Sequence, residues 1–220
     1  MNTAIRRLTA LASALVMAVG LMLAVSPVHA SAEVETTATA LCSTTLRYGS
    51  SGTCVKKLQT RLNELGLNCG NKLTVDGKFG PATRMRVFAF QGRNRIAVDG
   101  VVGPITRGKL ANPDSNLKVS CDSTIAAQIR SVWPASLEDK AIRVARCESG
   151  LNPIAVGVNT NGTKDMGVFQ FNTGGTLQEW LPGSSTKIKI DNALTSTENI
   201  KAAYRLYKSR GWQPWTCRNA

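Results

Sequence analysis

A ten-residue motif that occurs twice constrains this chain more than anything else in it. Val75-Asp76-Gly77-Lys78-Phe79-Gly80-Pro81-Ala82-Thr83-Arg84 returns twenty-three residues later as Val98-Asp99-Gly100-Val101-Val102-Gly103-Pro104-Ile105-Thr106-Arg107. Each copy reads as a tight Asp-Gly turn, a second glycine, and a proline at the first position of a helix, where the missing N–H costs nothing and the fixed φ is already helical. Ahead of the first copy, Val55, Leu58, Leu62 and Leu65 recur at helical spacing, with Thr53 as an N-cap and Gly66 as a stop. These signals predict a bundle of three short helices joined by Asp-Gly loops over residues 46–110. In that bundle Asp76 and Asp99 are turn-formers, and Phe79, Phe88 and Phe90 are core.

The second informative stretch runs from Cys147 to Asn172 and carries two carboxylates, Glu148 and Asp165, seventeen residues apart. Ser136 with Asp139 forms a capping-box pattern that opens a helix, and Gly150 stops it. On that helix Leu137, Ala141, Val144, Ala145 and Glu148 share one face, so the glutamate points where a core residue should. Burial there and the negative end of the helix dipole both disfavour its charged form, as a proton donor requires. Asp165 follows the hairpin dipeptide Asn161-Gly162 and precedes the strand-like Val168-Phe169-Gln170-Phe171, which predicts an ionised carboxylate on a polar sheet edge. One protonated and one ionised acid flanking a sugar is the arrangement that cleaves glycosidic bonds. Elsewhere helices are predicted from Asp122 or Ser123 to Trp133, around Thr176 to Leu181, and from a Thr195/Glu198 capping box with Ile200, Ala203, Tyr204 and Tyr207 on one face.

Four resemblances accompany these patterns. With Leu46 to Cys54, Leu58-Gln59 and Phe90-Gln91 added to the repeat, residues 46–110 resemble the peptidoglycan-binding module of bacterial cell-wall enzymes. Glu148, Ser149, Asn159, Gly162, Asp165, Gly167, Gln170 and Asn172 match the active-site stretch of chicken-type lysozymes without a gap. The same segment is similar to soluble lytic transglycosylases through Glu148-Ser149 and Gly167-Val168-Phe169-Gln170. It also resembles the resuscitation-promoting-factor domain through Cys147-Glu148 and the ending Gly211-Trp212-Gln213-Pro214-Trp215-Thr216-Cys217. Thr173 to Leu177 stand where chicken-type lysozymes carry paired tryptophans, which leaves the sugar subsites and the product open. The lysozyme resemblance implies Glu148 as general acid then base, Asp165 as nucleophile or electrostatic partner, and Ser149, Asn159, Gln170 and Asn172 as substrate-binding residues. The resuscitation-factor resemblance implies a Cys147–Cys217 disulfide.

Residues 1–30 read as a signal peptide, with Arg6-Arg7, an apolar run from about Leu8 to Val25, and Val28-His29-Ala30 before the cleavage point. Removal would take His29, the only histidine, and with it any zinc amidase site or Cys-His dyad. No cofactor and no metal are called for. Six cysteines in the exported part fit an oxidising compartment and three disulfides, with the pairing of Cys42, Cys54, Cys69 and Cys121 open. The exported chain carries 25 Lys and Arg against 14 Asp and Glu, a net charge of +11, and residues 46–112 hold 12 of those cations against 3 acids. Such a module is drawn to anionic wall polymers, including teichoic acids and stem-peptide carboxylates. No nucleic-acid recognition motif is present.

The expected organisation is a signal peptide (1–30), a flexible leader (31–45), the binding module (46–110), a linker (111–121) and a lysozyme-like domain (122–220). The fold class is mainly α: a small three-helix bundle, then an α+β domain with a small antiparallel hairpin. The expected function is a secreted, wall-associated and monomeric muramidase with no membrane span after cleavage. A lytic transglycosylase and a non-catalytic wall-binding protein are the alternatives.

Overall fold

The computed structural model describes residues 41–69, 71–114, 117 and 123–220. The expected signal peptide, most of the expected leader, Cys121, Asp122 and most of the expected linker lie outside these. Three helices build the first part: α1 (Thr53–Glu64), α2 (Pro81–Arg93) and α3 (Pro104–Ala111). The second part holds α4 (Ser123–Val132), α5 (Ala135–Ser149), β1 (Val156–Val158), β2 (Lys164–Met166), β3 (Phe171–Asn172), α6 (Thr176–Trp180), α7 (Thr186–Ala193) and α8 (Ser196–Arg210). The fold is mainly α with one small antiparallel sheet, ordered β1-β2-β3.

The repeat works through one glutamine per copy. Gln59 on α1 donates to Asp76 Oδ1 (2.8 Å), the Lys78 carbonyl (3.1 Å) and Thr83 Oγ1 (3.1 Å), and accepts from Gly77 N–H (2.9 Å). Gln91 on α2 does the same with Asp99 (2.7 Å), Val101 (3.0 Å), Thr106 (3.2 Å) and Gly100 N–H (2.9 Å). Both glutamines are buried and satisfied, so each ties a preceding helix to the turn and the helix that follow it. Asp76 and Asp99 also accept from the N–H two residues on, which makes them Asx-type turn-formers, as expected. The Gln59 amide, and then the Lys78 N–H, hold the Asp76 carboxyl below its usual range. Phe79, Phe88 and Phe90 are core.

Several local expectations are corrected. Helix α1 is capped by Gly52, with Thr53 its first residue; α5 begins at Ala135 behind Pro134, and no side chain of Ser136 caps it. The Thr195 side chain does not cap α8 either, because its hydroxyl donates to the Asp191 carbonyl and accepts from Arg93. Residues 168–170 form a turn rather than a strand, with Val168 and Phe169 driven into the core. Asp165 therefore lies on the central strand, opposite Gly157 and Asn172, not on a sheet edge. Helix α7, whose Thr-Lys-Ile-Lys-Ile-Asp-Asn-Ala sequence lacks a strong helical stripe, was not among the predicted helices; its one local signal is Ser185, whose hydroxyl caps it by accepting the Ile188 N–H.

The first part is fastened to the second. Asp191 on α7 accepts from Arg93 Nη1 at 2.6 Å and from Arg95 Nε at 2.8 Å. Gly92 lets α2 close on α7, since a Cβ there would come within 2.5 Å of Leu194 and 2.9 Å of Ile190. Asp191 is buried, so its partners are not replaceable by water. Asp191→Asn is expected to cost about 2 kcal/mol, the scale of a hydrogen bond to a charged group, read as a lower urea midpoint with an unchanged slope.

Behind the sheet, α4, α5 and α8 pack around Trp133, whose ring stacks on Trp212 (5.4 Å) and Phe169 (5.7 Å) and meets Tyr204 (5.2 Å) and Tyr207 (5.3 Å). Two disulfides are defined among the described residues, Cys42–Cys54 and Cys147–Cys217, and Cys69 is disulfide-bonded as well. No helix among the described residues is long and apolar enough to cross a membrane.

Candidate active site

Glu148 sits in the last turn of α5, which ends at Gly150 in the left-handed conformation. Its helix face is the apolar one, with Ala141, Val144 and Ala145 buried, while Glu148 itself is half-buried at the rim. The carboxylate Oε1 accepts the Cys217 backbone N–H at 2.8 Å, and the neighbouring Cys147 is bonded to Cys217. The C-terminal segment is thus held twice to the end of α5, once covalently and once through the acid. Among the described residues Oε2 has no hydrogen-bond partner.

Asp165 is positioned by neutral amides. Asn172 Nδ2 donates to its Oδ1 at 2.7 Å and Asn159 Nδ2 to its Oδ2 at 2.9 Å. Both amides also donate to Thr163 Oγ1 at 3.1 Å, and that hydroxyl donates onward to Asn161 Oδ1. The hairpin turn, β2 and β3 therefore fix the carboxylate through neutral amides, with no counter-ion among the described residues.

Glu148 and Asp165 line one cavity of about 170 Å³, together with Gln170, Asn172, Thr176 and Trp215. Two of the residues expected to bind substrate, Gln170 and Asn172, are on its wall. The other two, Ser149 and Asn159, are not, and they act behind it. The Ser149 hydroxyl donates to the Val168 carbonyl at 2.8 Å and accepts from Asn152 N–H at 3.3 Å, tying α5 to the 167–170 turn. Gln170 closes that turn by donating to the Gly167 carbonyl at 2.7 Å, with φ at 47°. Gly167 has no substitute: φ is 78°, and a Cβ would fall 2.0 Å from the Ala193 carbonyl oxygen.

Other residues of the site carry no local signal in the sequence. Asn199, fully buried on α8, donates to the Met166 and Ala193 carbonyls and accepts from Phe169 N–H, fastening the turn below the cavity. Trp215 donates from Nε1 to the Phe169 carbonyl at 3.1 Å, and Thr176, Leu206 and Pro214 complete the lining. Only the Trp212–Cys217 ending, linked to Cys147, hinted that the C-terminus would be here.

Residues 51–110 match the model of the putative peptidoglycan binding domain, and residues 128–217 match that of the lysozyme like domain. The chain thus carries a segment similar to peptidoglycan-binding domains followed by one similar to lysozyme-like domains. Its disulfides and wall-directed domains fit extracellular action. No curated protein matches the chain. Among solved structures, a fused Zn-dependent amidase/peptidase/peptidoglycan-binding domain-containing protein from Clostridium acetobutylicum is 31% identical over 46% of this chain and 44% of that one, with a TM-score of 0.32. The chain therefore spans less than half the length of that protein. The Burkholderia AP3 phage endolysin is 19% identical over 76% of this chain and 83% of that one, with a TM-score of 0.29.

Proposed function

We propose that the protein is a secreted muramidase that hydrolyses the bond between N-acetylmuramic acid and N-acetylglucosamine, with residues 46–110 holding it on the wall. Glu148 protonates the leaving glycosidic oxygen through Oε2 and then, as base, activates the water that completes the reaction. Asp165 faces the developing positive charge at the anomeric carbon, as nucleophile or as electrostatic partner. Gln170 and Asn172 contact the glycan, while Ser149 and Asn159 position the two acids. The observation that carries this reading is the meeting of Glu148 and Asp165 on one cavity although they come from different elements, one from a helix end and one from the middle strand.

One feature favours a second reading. Both Asp165 oxygens already accept amide protons, which suits a carboxylate that organises the hairpin as well as one that meets substrate. A lytic transglycosylase needs a single acid, because the muramyl 6-hydroxyl attacks and leaves a 1,6-anhydro product. Mass spectrometry of digested sacculi separates the two: hydrolysis adds one water per cut, and transglycosylation adds none. For the muramidase, Asp165→Asn is expected to lower the clearing rate of purified walls by at least about 10²-fold, on the scale of a lost electrostatic stabiliser. Anhydro-terminated products, with the rate of Asp165→Asn close to wild type, would give the reaction to the transglycosylase.

A further inference from the structure

We propose that the cavity between the first Asp-Gly turn and α2 is an oxyanion-binding site anchored by Arg86, which takes a stem-peptide carboxylate or a wall-polymer phosphate. The proposal rests on the wall-directed reading of the binding module and gives it a place and a chemistry. The cavity measures about 530 Å³, and Asn71, Lys72, Asp76, Lys78 and Arg86 are its polar lining residues of interest.

Arg86 is the unusual member. Only 8% of it is exposed, yet none of the ion pairs among the described residues includes it. Its Nη2 donates to the Asn71 carbonyl at 3.1 Å, while Nη1 is buried with no partner among the described residues. An unpaired charge removed from water is among the most expensive features a fold can carry. Burial pulls the affinity of this guanidinium for its proton down, but an arginine side chain stays charged at any physiological pH, so the group cannot relieve the cost by discharging. An oxyanion in the cavity would relieve it, and the planar fork suits a carboxylate or phosphate.

The internal repeat supplies a comparison within the same chain. Arg86 stands three residues after Thr83, and the residue three after Thr106 is Lys109. Lys109 is partly exposed and paired with Asp114. The second copy therefore satisfies its cation internally, and the first does not. Lys72 and Lys78, both exposed, add two more positive charges to the cavity. The single carboxylate, Asp76, already accepts the Gln59 amide and the Lys78 N–H on Oδ1.

The test uses the full exported chain and three preparations of purified walls: untreated, stripped of phosphate polymers, and with free carboxyl groups amidated. Lys72→Glu and Arg86→Met are compared with wild type and with Lys187→Glu, which repeats the charge change of Lys72→Glu at an exposed position of α7. Both cavity variants are expected to weaken pelleting at least tenfold, and Lys187→Glu to leave it within twofold. Loss of wild-type binding on amidated walls assigns the anion to a carboxylate, and loss on stripped walls assigns it to a phosphate. Thermal unfolding guards against misfolding: Arg86→Met should unfold no earlier than wild type, because it removes an uncompensated charge. Inorganic phosphate or acetate at constant ionic strength should raise the wild-type midpoint but not that of Arg86→Met. Wild-type pelleting matched by both cavity variants on every wall would overturn the site and leave the wall reading standing. A wild type that pellets with none of the walls would overturn the wall reading itself.

Discussion

Glu148→Gln is expected to slow the clearing of purified walls by about 10²- to 10⁴-fold, the contribution of a positioned general acid, while pelleting with those walls stays unchanged. The substitution is close to isosteric, and its amide oxygen can still accept the Cys217 N–H that Oε1 accepts at 2.8 Å. What disappears is the carboxyl group at the cavity. The variant should therefore unfold within about 1 kcal/mol of wild type, the usual scale for a surface or rim substitution. Clearing at the wild-type rate would remove Glu148 from the chemistry. A catalytically dead variant that also failed to bind would show instead that the substitution had damaged the module interface.

Replacing Cys147 and Cys217 together by serine is expected to lower stability by about 2 to 5 kcal/mol, because the bridge closes a long loop and restricts the unfolded chain. The two residues are 70 apart in sequence. The loss should appear as a lower denaturant midpoint in the double variant, and in wild type on adding reductant. Activity should fall beyond what instability explains. Cys217 N–H is the group that aims Glu148, and Trp215, two residues before it, is a wall of the cavity and is fastened to the Phe169 carbonyl. The measurement is the clearing rate at a temperature where circular dichroism shows the variant fully folded. A rate equal to wild type there would mean that Glu148 is aimed without the bridge.

Much of the binding module was legible because its signals are local. Asp-Gly turns, prolines at the first helical position and a leucine stripe each act within one turn of chain, and they predicted α1, α2 and α3. The role of Gln59 and Gln91 was not legible. Each joins three segments distant in sequence, and nothing within a few residues of either marks it as the buried centre of a network. The same reasoning separates the two proposed acids. The Glu148 face followed from helical spacing, which tertiary contacts rarely overturn in a long amphipathic helix. The Asp165 environment differs from the expectation because Val168 to Phe171 are strand-prone residue types but turn sharply, with Gly167 and Gln170 at positive φ, so β2 becomes the middle of the sheet.

Sequence by itself determined the helices with clear apolar stripes or a proline at the first position, the Asp-Gly turns, the hairpin at Asn161-Gly162 and the short list of acids available for chemistry. These depend on φ preferences and on periodicity along the chain, which short-range sterics decide. Only the tertiary structure decided that Asn159 and Asn172 clamp Asp165 and that Ser149 supports the cavity from behind. It alone decided that Trp215 lines the cavity and Asn199 fastens the turn below it, that Asp191 locks the two parts together, and that Arg86 is buried with no counter-ion among the described residues. Each of these depends on which distant segments exclude water from the same small volume, and no local pattern records that.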